Sequence, residues 1–161
     1  MHQVSPMKRL AALLISILFY AAAHADPTLV GRWKSDGQMS MQFNEDRARL
    51  EDRSIKFLTQ LMGRMTVTFD QRTVTYEMKD WEVVSENGER RPFVGFKEVQ
   101  PYRLIGHTPK SVAIRSREPV TGEERITVFN FVDSNTMWVY SGRTAESVPT
   151  EHLREYFVRL P

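Results

Sequence analysis

Apolar and polar residues alternate along much of the chain with a period of two, which is typical of β-strands that bury one face. The segments RMTVTFD (64–70) and TVTYEMK (73–79) each place methionine, valine and aromatic residues on one face and threonine and acidic residues on the other. The residues DQR (70–72) join them, which is short enough for a hairpin loop. The pattern predicts two antiparallel neighbours.

A second hairpin is predicted around Asn87-Gly88, since a tight turn needs residues that tolerate a positive φ. Pro92, which follows this turn, cannot donate a ladder hydrogen bond and is expected at an edge, a strand start or a bulge. Further strands are predicted where the alternation recurs, at 29–35, 102–107, 111–117, 124–132, 136–142 and 153–160.

One segment, NEDRARLEDRSIKFLTQLMG (44–63), carries its apolar residues near helical spacing instead. Asn44 is a favourable N-cap, and Gly63 is a favourable residue for the C-terminal end. The sequence therefore predicts a single early helix, which could act as a lid or plug.

Eight to ten consecutive strands joined mostly by short turns are expected to pair with their sequence neighbours. Such a meander leaves two exposed edges unless the sheet closes on itself. The predicted fold is all-β with one early helix: an up-and-down antiparallel β-barrel in a single domain, residues 26–161. Closure places the last strand, LREYFVRL (153–160), antiparallel to the first, LVGRWKS (29–35).

Residues 1–25 are typical of a secretory signal peptide, with Lys8 and Arg9 before an apolar stretch and Ala23-His24-Ala25 as a small-x-small cleavage site. The apolar stretch, 10–23, is shorter than the roughly 20 residues of a membrane-spanning helix. We therefore expect cleavage before Asp26, export to the periplasm or medium, and no stable membrane span afterwards.

Charge and cysteine content limit the partners and sites that the chain is expected to have. Lys8 and Arg9 are two of the 22 basic residues, so 20 basic residues stand against 20 acidic ones after the leader. This balance gives no electrostatic case for a nucleic-acid or an anionic-membrane partner. The chain has no cysteine. Disulfides, thiolate metal sites and a lipidated cysteine anchor are thereby excluded.

The chain resembles the calycin superfamily, the lipocalins and fatty-acid-binding proteins, in Gly31-x-Trp33 on the first strand, an early helix, a strand meander and arginines on the last strand. The resemblance implies that Trp33 plugs the closed end of the barrel beneath an arginine of the last strand. It also implies that Arg154-x-Tyr156 could hold a ligand carboxylate, as Arg-x-Tyr does in fatty-acid-binding proteins.

Strand register decides which arginine meets Trp33. Pairing Leu29 with Leu160 sets Trp33 opposite Tyr156, with Arg154 on the same face. A slip of one residue reverses every side chain and places Arg159 on that face. The predicted structural plug is Gly31, Trp33 and Arg159, with the choice between the two arginines left open.

Candidate ligand-binding residues are those that the alternation and the resemblance direct toward a barrel interior. They are Met65, Phe69, Tyr76, Met78, Trp138, Arg154 and Tyr156. Soft and flat side chains suit a hydrophobic ligand. They suit an ordinary core equally well, because a barrel of about eight strands can be filled by its own side chains. For the arginine and tyrosine of the last strand, the alternative is a surface pair.

The favoured hypothesis is an exported barrel that binds a small hydrophobic or amphipathic ligand, for instance a carboxylate, in its interior. The alternative is a filled barrel whose loops, such as 118–124 and 142–151, bind or inhibit an envelope protein. No catalytic motif is recognisable, so no enzyme activity and no cofactor are predicted. His107 and His152 lack nearby ligands, so no metal site is predicted.

Overall fold

The computed structural model describes residues 28–48, 50–85, 87–119, 121–141 and 153–161. The leader predicted for 1–25 and the loop 142–151 lie outside the described residues. The described part contains two helices, α1 (Gly37–Arg47) and α2 (Asp52–Leu61). Its eleven strands are β1 (Gly31–Asp36), β2 (Thr66–Phe69), β3 (Thr73–Met78), β4 (Trp81–Val84), β5 (Arg90–Phe93), β6 (Phe96–Pro101), β7 (Arg103–Thr108), β8 (Ser111–Arg117), β9 (Glu124–Phe131), β10 (Thr136–Tyr140) and β11 (Arg154–Arg159).

Nine of the strands form one antiparallel sheet that nearly closes into a barrel, in the order β6-β3-β2-β1-β11-β10-β9-β8-β7. Neighbours in sequence pair with each other along this sheet, except that β6 pairs with β3 and not with β7. The first and last strands, β1 and β11, pair antiparallel. The predicted fold class is confirmed: an all-β, up-and-down barrel whose first and last strands are neighbours. Pairing of β1 with β11 removes the edges that these two strands would otherwise expose and leaves one seam, between β6 and β7.

The predicted register between the first and last strands is wrong by three residues. Trp33 lies opposite Arg159, not opposite Tyr156, which instead faces Asp36. An odd shift reverses the faces of a strand. Arg159 therefore shares the inner face with Trp33, and Arg154 points to the outer one.

The remaining seam is bridged by a single extended segment, β6 followed by β7. Its first half pairs with β3 and its second half with β8, with only Tyr102 between them. Pro101 has no N–H to give to a ladder, which suits this change of partner. Across the seam, the side-chain amide of Gln100 makes the hydrogen bonds that a neighbouring strand would make with β8. It donates to Arg117 O at 2.6 Å and accepts from Arg117 N at 2.9 Å.

The early helical segment consists of two helices, where the sequence predicted one over 44–63. Asp36 caps α1 by accepting from Met39 N at 2.9 Å, so the helix begins at Gly37 and Asn44 lies inside it. The backbone is extended at Ala48, which ends α1. The expected glycine is confirmed: Gly63, with φ +86°, follows the end of α2.

Strands β4 and β5 form a separate two-stranded hairpin between β3 and β6. The predicted turn at Asn87-Gly88 is confirmed, with Ser85 N donating to Glu89 O at 2.9 Å and Gly88 at φ +80°. Pro92 lies in β5, an edge strand, as expected. The hairpin returns to the barrel through Gly95, where a Cβ would lie 2.4 Å from a backbone carbonyl oxygen of β3.

Candidate functional site

The barrel interior is filled by a continuous apolar cluster. Its buried members are Leu29, Trp33, Val67, Phe69, Val74, Val112, Ile114, Phe129, Met137, Val139 and Phe157. Of the predicted cavity residues, Phe69 is 1% exposed and contacts Phe129 edge to face at 5.2 Å. Met65 and Tyr76 pack against this cluster, and Met78 is buried on the same strand face as Tyr76. Phe69, Met65 and Tyr76 therefore help to fill the interior, and Met78 is buried next to them on β3.

One end of the barrel is closed by Trp33, Arg159 and Gly31. Trp33 is fully buried, its Nε1 donates to Leu29 O at 2.8 Å, and the guanidinium of Arg159 lies 4.1 Å from its ring centroid. Arg159 also donates to Thr28 O at 2.8 Å and to Val30 O at 2.7 Å. A Cβ on Gly31 would lie 2.4 Å from Nη1 of Arg159. The Gly31-x-Trp33 spacing thus leaves room for the guanidinium, and burial lowers the pKa of Arg159.

Arg154, Tyr156 and Trp138 lie together on the outer face of the barrel, not in its interior. The guanidinium of Arg154 is enclosed between Trp138, 3.7 Å from its ring centroid, and Phe43 of α1, at 4.2 Å. Phe43 also contacts Tyr156, with ring centroids 6.0 Å apart. Nε of Arg154 is buried without a hydrogen-bond partner. The structure brings these three predicted residues together, but as a cluster that docks a helix.

Two polar residues of α1, Ser40 and Asn44, hold this helix to β11. The sequence predicted Asn44 as an N-cap, not as a strand partner, and gave no signal for Ser40. Asn44 Nδ2 donates to Arg154 O at 3.0 Å and its Oδ1 accepts from Arg154 N at 2.8 Å; Ser40 Oγ accepts from Tyr156 N at 2.8 Å. Both residues are fully buried. Their spacing of four places them on one helix face, where they replace the backbone partner that β11 loses when β1 ends.

At the barrel end opposite the plug, Glu155 is an enclosed carboxyl group. It accepts from Ser35 Oγ at 2.5 Å, and the same hydroxyl accepts from Gly63 N at 2.8 Å. Burial raises the pKa of Glu155, while Ser35 and the Lys34 charge act in the opposite direction. Glu155, β1 and the end of α2 are therefore joined in one hydrogen-bonded group.

A second polar contact lies near the seam of the barrel. Burial raises the pKa of the Tyr76 phenol, its hydrogen bond with Ser116 lowers that pKa by less, and the charges of Glu118 and Glu98 raise it further. The phenol therefore stays neutral at physiological pH. These polar groups are hydrogen-bonded wall residues, and no group of three histidine, aspartate or glutamate side chains in the described residues could hold a metal.

A concavity lies outside the barrel, between α2 and the β4–β5 hairpin; we call it the helix–hairpin groove. Its volume is about 1020 Å³. Its apolar lining comprises Leu50, Ile55, Phe57, Leu58, Val83, Val84 and Leu153. Phe57 is 53% exposed and Val84 is 43% exposed. A groove of this size with exposed apolar walls can accept a small ligand.

The two walls of the groove are tied together by Gln60. Its Nε2 donates to Val84 O at 3.0 Å and its Oε1 accepts from Val84 N at 2.6 Å, so the side-chain amide continues the hairpin edge. Beside it, Arg64 lies 4.7 Å from the ring centroid of Trp81, which stacks on Phe93 at 3.7 Å. Hydrogen bonds and ring contacts thus fix α2 relative to the β4–β5 hairpin, although Leu58 is the only residue of α2 that is buried.

The remaining predicted features are placed as follows. His107 is an exposed residue of β7, and His152 lies outside the described residues. No helix in the described part of the chain is long and apolar enough to cross a bilayer. Comparison of the chain with protein-family models, with curated proteins and with solved structures returned no match.

Proposed function

We propose that this chain is an exported, lipocalin-like protein that binds a small apolar or amphipathic ligand, and that the ligand occupies the helix–hairpin groove. The observation that supports this most is the contrast between the barrel interior and the helix–hairpin groove. The barrel interior is occupied by its own side chains. The groove offers about 1020 Å³ and an apolar lining outside it. This location replaces the interior site expected from the sequence.

The groove lining supports an amphipathic ligand rather than a purely apolar one. Aliphatic side chains from α2 and β4 form most of its wall, whereas Arg53 and Lys56 lie along the polar side of α2. Arg53 is paired with Glu51 at 2.9 Å, so Lys56 is the cation that a ligand headgroup would meet. A chain of apolar atoms ending in an anionic group matches this distribution.

The lipocalin-like assignment is part of the proposal. A nearly closed antiparallel meander, a first-strand tryptophan under a last-strand arginine, and helices directly after β1 support it. Export is supported by the sequence of residues 1–25. N-terminal sequencing of protein recovered from the periplasm or medium of its host tests export, and a chain that still begins at Met1 would contradict it.

Ligand binding is tested with a dansyl-labelled undecanoate as a fluorescent amphipathic probe. Phe57→Ser is expected to weaken binding about fivefold, because roughly 1 kcal/mol of apolar contact is lost when half a phenylalanine side chain is no longer covered. Val132→Ser is the matched control, since Val132 is 61% exposed and does not line the groove. Equal affinity of both variants would contradict the groove site, and no binding by the parent protein would contradict this ligand class.

The alternative function, a filled barrel that binds another envelope protein, is supported by one edge of the sheet. Among the described residues, β7 pairs only with β8, and its Leu104 and Ile105 are 54% and 45% exposed. Such an edge can pair with a strand of a partner. A photo-crosslinking residue at Ile105 is expected to give one discrete adduct in the host envelope, whereas the same residue at Val132 gives none. Identical products at both positions would contradict it.

A further inference from the structure

Three arginines of the barrel wall border one depression at the seam where β6 continues into β7. Arg103 on β7 lies directly opposite Arg115 on β8, and Arg117 follows two residues along β8 on the same face. The depression has a volume of about 650 Å³ and is also bordered by Glu98 and Glu124. We call it the arginine depression.

The pairing of Arg103 with Arg115 is electrostatically unfavourable. Directly opposed residues of neighbouring antiparallel strands have Cα atoms roughly 5 Å apart, and like charges at such positions destabilise a sheet. Arg117 adds a third positive charge roughly 7 Å along the same strand. Glu124 lies opposite Arg117, yet in the described part of the chain none of the three guanidinium groups has an ion pair or hydrogen bond. The cluster therefore keeps its donors available.

We propose that the arginine depression binds a phosphate group. Planar guanidinium groups donate pairs of hydrogen bonds to phosphate oxygens, and a dianion between Arg103 and Arg115 removes their mutual repulsion. Val99, which is 61% exposed, and Pro101 border the same depression and offer apolar contact to whatever carries the phosphate. The site is on the barrel wall and is independent of the helix–hairpin groove.

A carrier of this phosphate can be a soluble compound or a phospholipid headgroup. The balanced overall charge is compatible with both carriers. It is a sum over acidic and basic residues along the chain and does not describe the local charge beside the three arginines. At the depression itself three cationic side chains face two carboxylates. Attraction of an anion depends on this local balance.

The first experiment follows thermal unfolding of the mature protein in inorganic phosphate and in sodium chloride at equal ionic strength. Phosphate at about ten times its Kd is expected to raise the unfolding midpoint by roughly 4 °C above the chloride sample. Arg115→Gln is expected to abolish this rise and, without phosphate, to unfold about 2 °C above the parent protein, since the repulsion is gone. Arg103→Gln should behave in the same way.

The matched control is Arg32→Gln, because Arg32 is an exposed arginine on the outer face of β1, away from the depression. It removes the same charge and is expected to keep the response to phosphate. Equal loss in Arg32→Gln and Arg115→Gln would overturn the proposal, since the effect would then be one of net charge.

The second experiment distinguishes the carriers by co-sedimentation with vesicles of phosphatidylcholine, with and without phosphatidate. Binding that needs phosphatidate and Arg115 assigns the phosphate to a lipid headgroup. A response to inorganic phosphate without vesicle binding assigns it to a soluble compound. Absence of both responses in the parent protein would overturn the proposal.

Discussion

Replacement of Gly31 by alanine tests how the plug of the barrel is built. Gly31 has φ +133°, a conformation that side chains with a Cβ rarely adopt. An added Cβ would also lie 2.4 Å from Nη1 of Arg159, which donates to Val30 O at 2.7 Å. Two separate penalties are therefore expected: backbone strain, and displacement of the guanidinium from its hydrogen bond.

The two penalties differ in size and in origin. A residue held in such a backbone region costs about 1–3 kcal/mol, from which the lower entropy of the unfolded alanine chain subtracts about 0.4–1 kcal/mol. Loss of a hydrogen bond from a charged donor adds about 1.5 kcal/mol. Gly31→Ala is thus expected to lower the free energy of unfolding by about 2.5 kcal/mol. Gly88→Ala, at φ +80° with open space around the new Cβ, should cost only about 1 kcal/mol.

Urea unfolding followed by tryptophan fluorescence measures these differences in the parent protein and in an Arg159→Ala background. Without the guanidinium the clash disappears, so Gly31→Ala should cost about 1 kcal/mol there, as Gly88→Ala does. An unchanged cost of Gly31→Ala in the Arg159→Ala background would refute the clash. A cost below about 0.5 kcal/mol in the parent protein would refute both penalties.

Three further outcomes are expected from urea unfolding. Burial raises the folded-state pKa of Glu155, so the contribution of this group to the free energy of unfolding is complete below its unfolded pKa and is lost as pH rises through its folded pKa. Glu155→Gln should not show this loss of stability. Parallel curves of stability against pH for the two proteins would contradict this expectation. Asn44→Ala should cost about 3 kcal/mol, because Arg154 N and O lose their partners, whereas Asn130→Ala, with one hydrogen bond to Val128 O, should cost under 1 kcal/mol; equal costs would contradict the role of Asn44 as a strand partner. Arg154→Met should change the free energy of unfolding by less than about 1 kcal/mol, because it removes the cation–π contact with Trp138 but also removes a buried Nε that has no hydrogen-bond partner. A loss above about 3 kcal/mol would contradict this and would mean that the guanidinium makes a further stabilising contact.

The strands were predictable because their pattern is local. The segment 73–79 alternates strictly over its first six residues and is observed as β3, Thr73–Met78. Closure between β1 and β11 followed from the cost of free edges. The helix α1 was not predictable in the same way, because its buried face consists of Ser40, Asn44 and a single methionine and therefore lacks apolar periodicity.

The candidate sites depended on facts that no local pattern carries. A register shift of three residues between β1 and β11 decides whether Arg154 or Arg159 meets Trp33. The alternation along 153–160 is compatible with either register and therefore does not choose between the two arginines. The helix–hairpin groove requires α2 and the β4–β5 hairpin to meet, which Gln60 achieves by bonding to Val84, 24 residues away. The arginine depression likewise arises only when β7 is set against β8.

The position of β11 in the middle of the sheet determines when the fold can be completed. Its residues, Arg154–Arg159, form the last of the described strands in sequence order, yet they join β1 to β10. When the chain is made from its N-terminus, β1 therefore keeps an unpaired edge until residues 154–159 have been released. Such long-range pairing slows folding and exposes open edges to aggregation. Deletion of residues 154–161 would divide the nine-stranded sheet into two partial sheets, β6-β3-β2-β1 and β10-β9-β8-β7.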